Sequence, residues 1–375
     1  MEKVLLALGL TAVLAVSSSS QYKIDRVTGR QRFNEWKAKH GKSYLSNVEE
    51  ESRFKIYLEN LGKILQLNEE YKGRTKFIDN HFADISEKEF RKTVLMPKRT
   101  APKFPRERYL TRAVRDTLPV QFNWTTQGVV TPVKDQGAAG TCWAFSTIEN
   151  LEGQWAMKGK PLTSLSVEQV VDCDGTGDPV LGHGDCGVFG GWPYLAYQYI
   201  KKAGGIESEE SYPYCAGGGG APGTCEVCPP PGYNNTLCGP PVWFCNMTVS
   251  CGHKYNPAKF VPGLKVADWK AIPENETIIA EALMSVGPLS IALNAEMLQF
   301  YHSGVFNPIF CSPENLDHAV LLVGFGTHKG WFETEDYWLV KNSWGPKWGE
   351  KGYFRILRGK GKCGVNTQVT TAVLE

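Results

Sequence analysis

Four residues spread along the chain can together perform nucleophilic acyl transfer. Cys142 follows the small, flexible run Gly137-Ala138-Ala139-Gly140-Thr141 and opens an apolar helix pattern: Trp143, Ala144, Ile148, Leu151 and Trp155. A thiol at a helix N-terminus lies at the positive end of the macrodipole, which favours the thiolate. A thiolate nucleophile needs a base, and the base needs an orienting group. Of the seven histidines, His318 is the one that opens an apolar strand pattern, His-Ala-Val-Leu-Leu-Val-Gly, and it is preceded by Asp317. Asn342 follows a second apolar run. Its side-chain oxygen can accept the imidazole N–H and fix the tautomer, while Trp344 can shield that bond from water. Gln136, six residues before Cys142, offers an amide N–H₂ that can join the Cys142 N–H in holding an oxyanion. This chemistry requires no metal and no organic cofactor.

The elements that must position these groups read as an α+β body. Thr141 to Lys158 has helical periodicity, and Ser166 with Gln169 three residues on forms a capping box for a short helix, SVEQVVD. Strand-like runs come later, at 289–293, 318–325, 337–341 and 352–357. Helices first and strands later imply one helical and one strand-rich half. Upstream, 48–71 is a long amphipathic helix pattern in which Phe54, Tyr57, Leu58, Leu61, Ile64, Leu65 and Leu67 recur at three- and four-residue steps. From Thr93 to Arg115 the chain turns to Pro, Lys and Arg without apolar periodicity, which reads as an extended, protease-accessible connector.

Charge divides the chain at the same place. Residues 21–117 carry 23 Lys and Arg against 14 Asp and Glu, whereas 118–375 carry 17 against 24. A +9 segment ahead of a −7 body suggests two parts that attract each other rather than a nucleic-acid binder. Acidification would protonate carboxylates between them, so activation is expected near pH 4–5, about where Asp and Glu titrate, with cleavage between Arg115 and Leu118. Residues 1–19 read as a cleaved secretory signal: Lys3, an apolar run from Val4 to Val16, then small residues. That run is too short to span a membrane. A secretory route makes disulfides the default for the eleven cysteines and leaves one thiol over. Sequons at Asn123, Asn234, Asn246 and Asn275 fit the same compartment, as acceptors of glycans. Residues 215–252 are rich in Cys, Gly and Pro and form an irregular stapled insertion; Cys225-x-x-Cys228 within it could also be read as a zinc site.

Gln-Gly-x-x-Gly-Thr-Cys-Trp-Ala-Phe-Ser at 136–146, Asp-His-Ala-Val at 317–320 and Asn-Ser-Trp-Gly at 342–345, in that order, resemble the papain-like cysteine proteases, and the likeness covers essentially all of 118–375. Upstream, Glu49, Arg53, Ile56, Tyr57, Asn60, Ile64 and Asn68 resemble the ERFNIN prosegment pattern of cathepsin L-like precursors. Asn80, Phe82 and Asp84 match the short motif after it, with Ile78 in place of a glycine. On the helix, Glu49 and Arg53 share one face and can pair. The resemblance implies a two-lobed fold with a cleft between a helical and a barrel-like strand-rich lobe. It also implies an inhibitory helical propeptide over 20–117, whose tail threads the cleft in the non-productive direction, and a mature domain over 118–375.

The same resemblance implies Gly190 and Gly191 as the backbone edge for an extended substrate. It implies Trp192, Pro193, Ala292, Leu316 and Ala319 as walls of the main specificity pocket, with Gln368 at its base and Trp344 beside the cleft. An apolar wall favours a hydrophobic residue two positions before the scissile bond (P2). Cys311 with Cys363 fits the family's bridge near the C-terminus. Ala139 stands where a cysteine is usual, so Cys186 is expected to pair into the 215–251 cluster. For Cys173 several partners compete. The insertion sits where carboxydipeptidases of this kind carry a blocking loop with two adjacent histidines. Only His253 is present here, which favours an endopeptidase. Carboxydipeptidase activity and a catalytically silent binding homologue are the alternatives. Partners implied are peptide and protein substrates, the chain's own propeptide and cystatin-like inhibitors, for a monomer of the secretory pathway, lysosomal, vacuolar or extracellular.

Overall fold

The computed structural model describes residues 24–111, 118–215, 229–240, 255–330 and 334–375. The expected signal segment 1–19, the expected cleavage point after Arg115, Asn246 and His253 lie outside the described residues.

The first part is helical. Helix α1 (Arg26–His40) packs on α2 (Asn47–Tyr71), followed by a short strand β1 (Thr75–Phe77) and helix α3 (Glu87–Thr93). The α2 bounds agree with the periodicity, and Phe54, Tyr57, Leu61, Ile64 and Leu67 are buried, whereas Leu65 turns outward. Phe33, Trp36, Phe54, Tyr57, Leu61 and Ala83 form a small core of its own. Asn60 donates to the Ala83 and Ile85 carbonyls at 2.9 Å each, and Asn68 exchanges two bonds with the Phe77 backbone, tying the long helix to the returning chain. The expected Glu49–Arg53 pairing gives way to a tertiary one. Arg53 reaches Glu89 at 2.7 Å and Glu49 accepts the Leu45 N–H, because α3 supplies a better-placed carboxylate than the same helix does. Ser86 and Glu89 close a reciprocal capping box at the start of α3.

The body has two lobes. Its elements in chain order are β2 (Phe122–Asn123), α4 (Cys142–Met157), α5 (Val167–Cys173), β3 (Gly177–Asp178), β4 (His183–Gly184), α6 (Pro193–Ala203) and α7 (Asn235–Cys238). Then come β5 (Val266–Ala271), α8 (Glu276–Val286), β6 (Leu289–Leu293), β7 (Tyr301–Phe306), β8 (His318–Lys329), β9 (Thr334–Lys341), β10 (Tyr353–Leu357) and β11 (Val369–Leu374). Helices α4, α5 and α6 build one lobe. Among the described residues a nine-stranded sheet, ordered β1-β7-β10-β9-β8-β6-β11-β5 with β2 against β8, builds the other. This is the α+β, two-lobed arrangement expected. At α5 only half of the capping box forms: Ser166 accepts the Gln169 N–H, while the Gln169 side-chain oxygen accepts the Glu207 N–H instead.

The basic first part adds β1 to the sheet edge, antiparallel to β7. Close approach there depends on Gly304, whose φ is +96° and where a Cβ would come 2.1 Å from the Arg74 carbonyl oxygen. Phe77, Phe82, Phe90, Val94 and Leu95 share the apolar core of the sheet lobe. Burying such side chains contributes roughly 1.5–3 kcal/mol each. As far as residue 111 the connector is extended apart from a 3₁₀ turn at Arg106–Arg108, as its composition implies, but it is held rather than free. Phe104 packs edge-on against Tyr194 and Trp269, Arg108 pairs with Asp268 at 2.8 Å, and the Leu110 N–H bonds the Ala271 carbonyl.

Candidate active site

Helix α4 starts at Cys142 because the glycine-rich approach is pinned on both sides. Tyr214 donates to the Gln136 carbonyl at 2.8 Å and meets the Thr141 hydroxyl at 2.7 Å. The helix is then locked to the sheet lobe. Ser146 bonds the Val320 carbonyl, and Asn150 donates to the Pro288 carbonyl and accepts the Ala372 N–H. Lys341 at the end of β9 pairs with Glu149 at 2.7 Å, both fully buried, and Lys134 pairs with Glu152 at 2.6 Å. These contacts cross the lobe boundary and fix Cys142 relative to β8 and β9.

Strand β8 begins at His318 and β9 ends one residue before Asn342, and the two strands are antiparallel neighbours. His318 Nε2 therefore meets Asn342 Oδ1 at 2.7 Å. That oxygen also accepts the Ser343 N–H at 2.8 Å, so the asparagine cannot rotate freely. Trp344 stacks on the imidazole, with ring centroids 4.6 Å apart. His318 Nδ1 has no hydrogen-bond partner. Gln136 Nε2 donates to the Val94 carbonyl at 2.8 Å and to the Ala139 carbonyl at 2.7 Å, while its Oε1 accepts from Ser343 Oγ at 2.7 Å. Ser343 thereby orients the Gln136 amide, a role its place inside the Asn-Ser-Trp-Gly motif signals without declaring.

The electrostatics are those of a covered site. Cys142 and His318 are fully buried. Burial pushes the Cys142 thiol up to about 12, against the pull of the Ala319, Trp143 and Cys142 backbone N–H groups. Burial likewise lowers His318 to about 4, with the Asn342 bond acting the other way. Sequence alone implies a thiolate at the helix start; under this cover, loss of water outweighs the helix terminus and both groups rest neutral. Asp317 is raised to about 7 by burial, and its Oδ1 accepts the Ala295 N–H.

The cover is the chain's own segment 94–99. Val94, Leu95 and Met96 are buried, the Met96 N–H bonds the Asp317 carbonyl, and Arg99 exchanges two backbone bonds with Leu316. Met96 joins Trp143, Trp192, Ala292, Leu316 and Ala319 in one apolar cluster. Gly190, at φ +102°, leaves room for it: a Cβ there would lie 2.8 Å from Met96 Cβ. Trp192 is held by its backbone N–H on Asp185, and Pro193 opens α6. Gly191 has no space for a side chain, since a Cβ would sit 2.4 Å from the Trp143 ring. Gln368 is buried beside Ala292, whose N–H bonds its carbonyl, and its side-chain amide has no partner. Phe82 and Phe90 meet Trp344 edge-on at 5.6 and 5.3 Å.

Cys142 is the free cysteine among the described residues. Cys186 is bonded to Cys238 and Cys311 to Cys363; Cys173 and Cys215 are also in disulfides. Cys225, Cys228, Cys245 and Cys251 lie outside the described residues. Among the described residues no group of side chains is arranged to hold a metal, and no helix is long and apolar enough to cross a membrane.

Residues 118–373 match the family model described as papain family cysteine protease, and residues 33–90 match the cathepsin propeptide inhibitor domain (I29). Cysteine proteinase 1 of Dictyostelium discoideum is 39% identical over 353 residues, covering 92% of this chain and 93% of the relative. Cathepsin L1 of Drosophila melanogaster is 37% identical over 372 residues, covering 96% and 88%. The structure of digestive procathepsin L 3 from the Tenebrio molitor larval midgut superposes with a TM-score of 0.72 at 31% identity, over 92% of this chain and 99% of that one. The chain belongs to the papain family of cysteine proteases and carries ahead of its protease domain the cathepsin-type inhibitor propeptide of a zymogen.

Proposed function

We propose that Cys142, His318, Asn342 and Gln136 are the catalytic residues of an endopeptidase released when 20–117 is removed from a mature domain over 118–375. The observation that carries the reading is the backbone of the chain's own prosegment lying on the free thiol's site, its Val94 carbonyl on the Gln136 amide. Once uncovered, Cys142 passes its proton to His318, and the thiolate attacks the substrate carbonyl carbon. Gln136 Nε2 and the Cys142 N–H hold the oxyanion as the C–S bond forms. His318 protonates the leaving amine as the C–N bond breaks. Water, giving a proton to His318, then cleaves the thioester and frees the acid. Asn342 holds the imidazole in the tautomer this requires.

Prosegment residue numbers rise from Gln136 towards Gly190, opposite to the direction expected of a substrate, so the cover resists its own cleavage. With Met96 in the place of a P2 side chain, the apolar walls Trp192, Pro193, Ala292, Leu316 and Ala319, above Gln368, favour Leu, Phe or Val. The described part of the insertion packs at 175–186, on the side towards which the prosegment departs, which supports an endopeptidase over a carboxydipeptidase. Asn123, Asn234 and Asn275 each use their side-chain oxygen as a helix cap and leave the amide nitrogen for a glycan, fitting a secretory, lysosomal or extracellular route past a cleaved 1–19. Cystatin-like inhibitors and a monomeric state complete the reading. A thiol-directed epoxide should label the mature protein stoichiometrically and spare Cys142→Ser; labelling that survives the substitution rejects it.

A further inference from the structure

Arg99 departs from the rest of the cover. Along the edge 316–317 the body advances one residue, from the Asp317 carbonyl that accepts the Met96 N–H to Leu316, which pairs with Arg99, while the prosegment advances three. Pro97 and Lys98 are the surplus, and Lys98 is held outside by Glu296 at 2.6 Å. Arg99 therefore stands one substrate position beyond Met96, on the side away from Gln136. Its guanidinium turns into the wall 183–192, donating to the Gly184 carbonyl at 2.9 Å and lying 3.4 Å from Cys186 Sγ.

Asp185 in that wall and Asp174 beside it are both fully buried, and each carboxyl acts on the other. Asp185 Oδ1 accepts the Trp192 N–H at 2.6 Å and Asp174 Oδ1 the Thr176 N–H at 2.9 Å. The second oxygen of each has no hydrogen-bond partner, and burial raises both carboxyls above their ordinary range. Burial, then the neighbouring Asp174, raises Asp185 well above the carboxylate range, while Arg99 acts against that rise. His183, lowered to about 4 by burial and by Arg99, stays neutral and does not compete as a cation. Tyr233 feels the same guanidinium. It comes from the cysteine-rich insertion, fastened here by Cys186–Cys238.

We propose that, with the prosegment gone, this wall is a substrate subsite for a guanidinium, selecting arginine at the third position before the scissile bond. The inference rests on the protease reading above. A planar fork can bridge the Gly184 carbonyl and the sulfur as Arg99 does, while an ammonium meets one of them, so arginine should exceed lysine. The removal of Arg99 takes the donor from the Gly184 carbonyl and leaves it beside the unpartnered oxygens of Asp174 and Asp185, buried acceptors that favour the next cation to enter.

The test uses mature enzyme and quenched peptides with Leu at the second position and Arg, Lys, citrulline, norleucine or Ala at the third. Arg should exceed citrulline by about tenfold in kcat/KM, mostly through KM, the factor that one charge-assisted contact supplies. Asp185→Asn, which keeps an acceptor for Trp192, or Asp174→Asn should bring that ratio towards one. If neither variant folds, the wild-type peptide series decides alone. Equal cleavage of the Arg and citrulline peptides overturns the subsite while leaving the protease reading intact. Failure to cleave any of the five overturns both.

Discussion

Gln136 Nε2 lies 2.8 Å from the Val94 carbonyl, so the amide proposed to hold the oxyanion is occupied by a peptide group of the same molecule. The prosegment thus blocks the site through the backbone as well as through bulk. In the mature enzyme Gln136→Ala should lower kcat by about 10²- to 10³-fold, the usual cost of one oxyanion donor, with KM nearly unchanged. Steady-state kinetics on a peptide with Leu at the second position decide it. A change confined to KM would mean that Gln136 only binds substrate.

Asn342 holds His318 Nε2 at 2.7 Å under the Trp344 ring. Asn342→Ala removes the acceptor of a bond that strengthens when the imidazole is charged, a loss of about 1.5–3 kcal/mol. That corresponds to a ten- to hundredfold fall in kcat/KM. Titration of His318 by NMR should show its pKa lower in the variant, since the carbonyl oxygen favours the imidazolium; an unchanged pKa with unchanged rate would remove Asn342 from the machinery.

Helix α2, helix α4 and the four strand-like runs are legible because each carries its own periodicity, and Cys142, His318 and Asn342 sit at their ends. Strands β5, β7 and β11 are not, since VADWKA, YHSGVF and VTTAVL gain strand character from distant partners. Helix α6 has Pro193 at its first position and Gly204 in the left-handed cap, boundary signals that only the packed helix between them makes plain. Arg53 shows the same limit: a same-helix carboxylate is visible in sequence, but Glu89, 36 residues away, becomes available only once α3 folds back. The reach of Arg99 to Gly184 has no local signature at all, and nor does the Asp174–Asp185 pair behind it.

Phe82 and Phe90 anchor the prosegment on Trp344, which also stacks on His318. Truncating a buried phenylalanine costs about 3–5 kcal/mol, which here falls on the closed proform rather than on the mature domain. Phe90→Ala should therefore accelerate self-processing at neutral pH by at least about a hundredfold. The kcat/KM of the mature product should match wild type. Processing at the wild-type rate, followed on gels, would show that these rings contribute nothing to latency.

Acid opening is expected from the charge split, but the titrating groups differ from those the composition suggests. Arg108–Asp268 does link prosegment to body. Burial alone would raise Asp268, yet the Trp269 N–H and Arg108 hold it below the ordinary carboxylate range, so its contribution is lost only as pH falls through that depressed value. Three histidines, His318 and His183 buried and His81 partly so, titrate earlier. Burial lowers His318 and His183 to about 4 and His81 to about 3; Arg99 adds to the shift at His183, and Lys42, His40 and the body's Lys347 add to it at His81. A histidine lowered on folding contributes stability above its ordinary value of about 6.5 and loses it as pH falls towards the folded value, by at most ~1.4 kcal/mol per unit per group. Asp317, raised to about 7, works the other way: its contribution is present in acid and lost as pH rises through 7. The Cys142→Ala proform should thus be most stable near pH 6–7 and lose stability steadily from about pH 6.5 to 4. Thermal unfolding across that range should show the decline, and His81→Gln should make it shallower. A midpoint that is flat to pH 4.5 and then collapses would return the switch to the carboxylates.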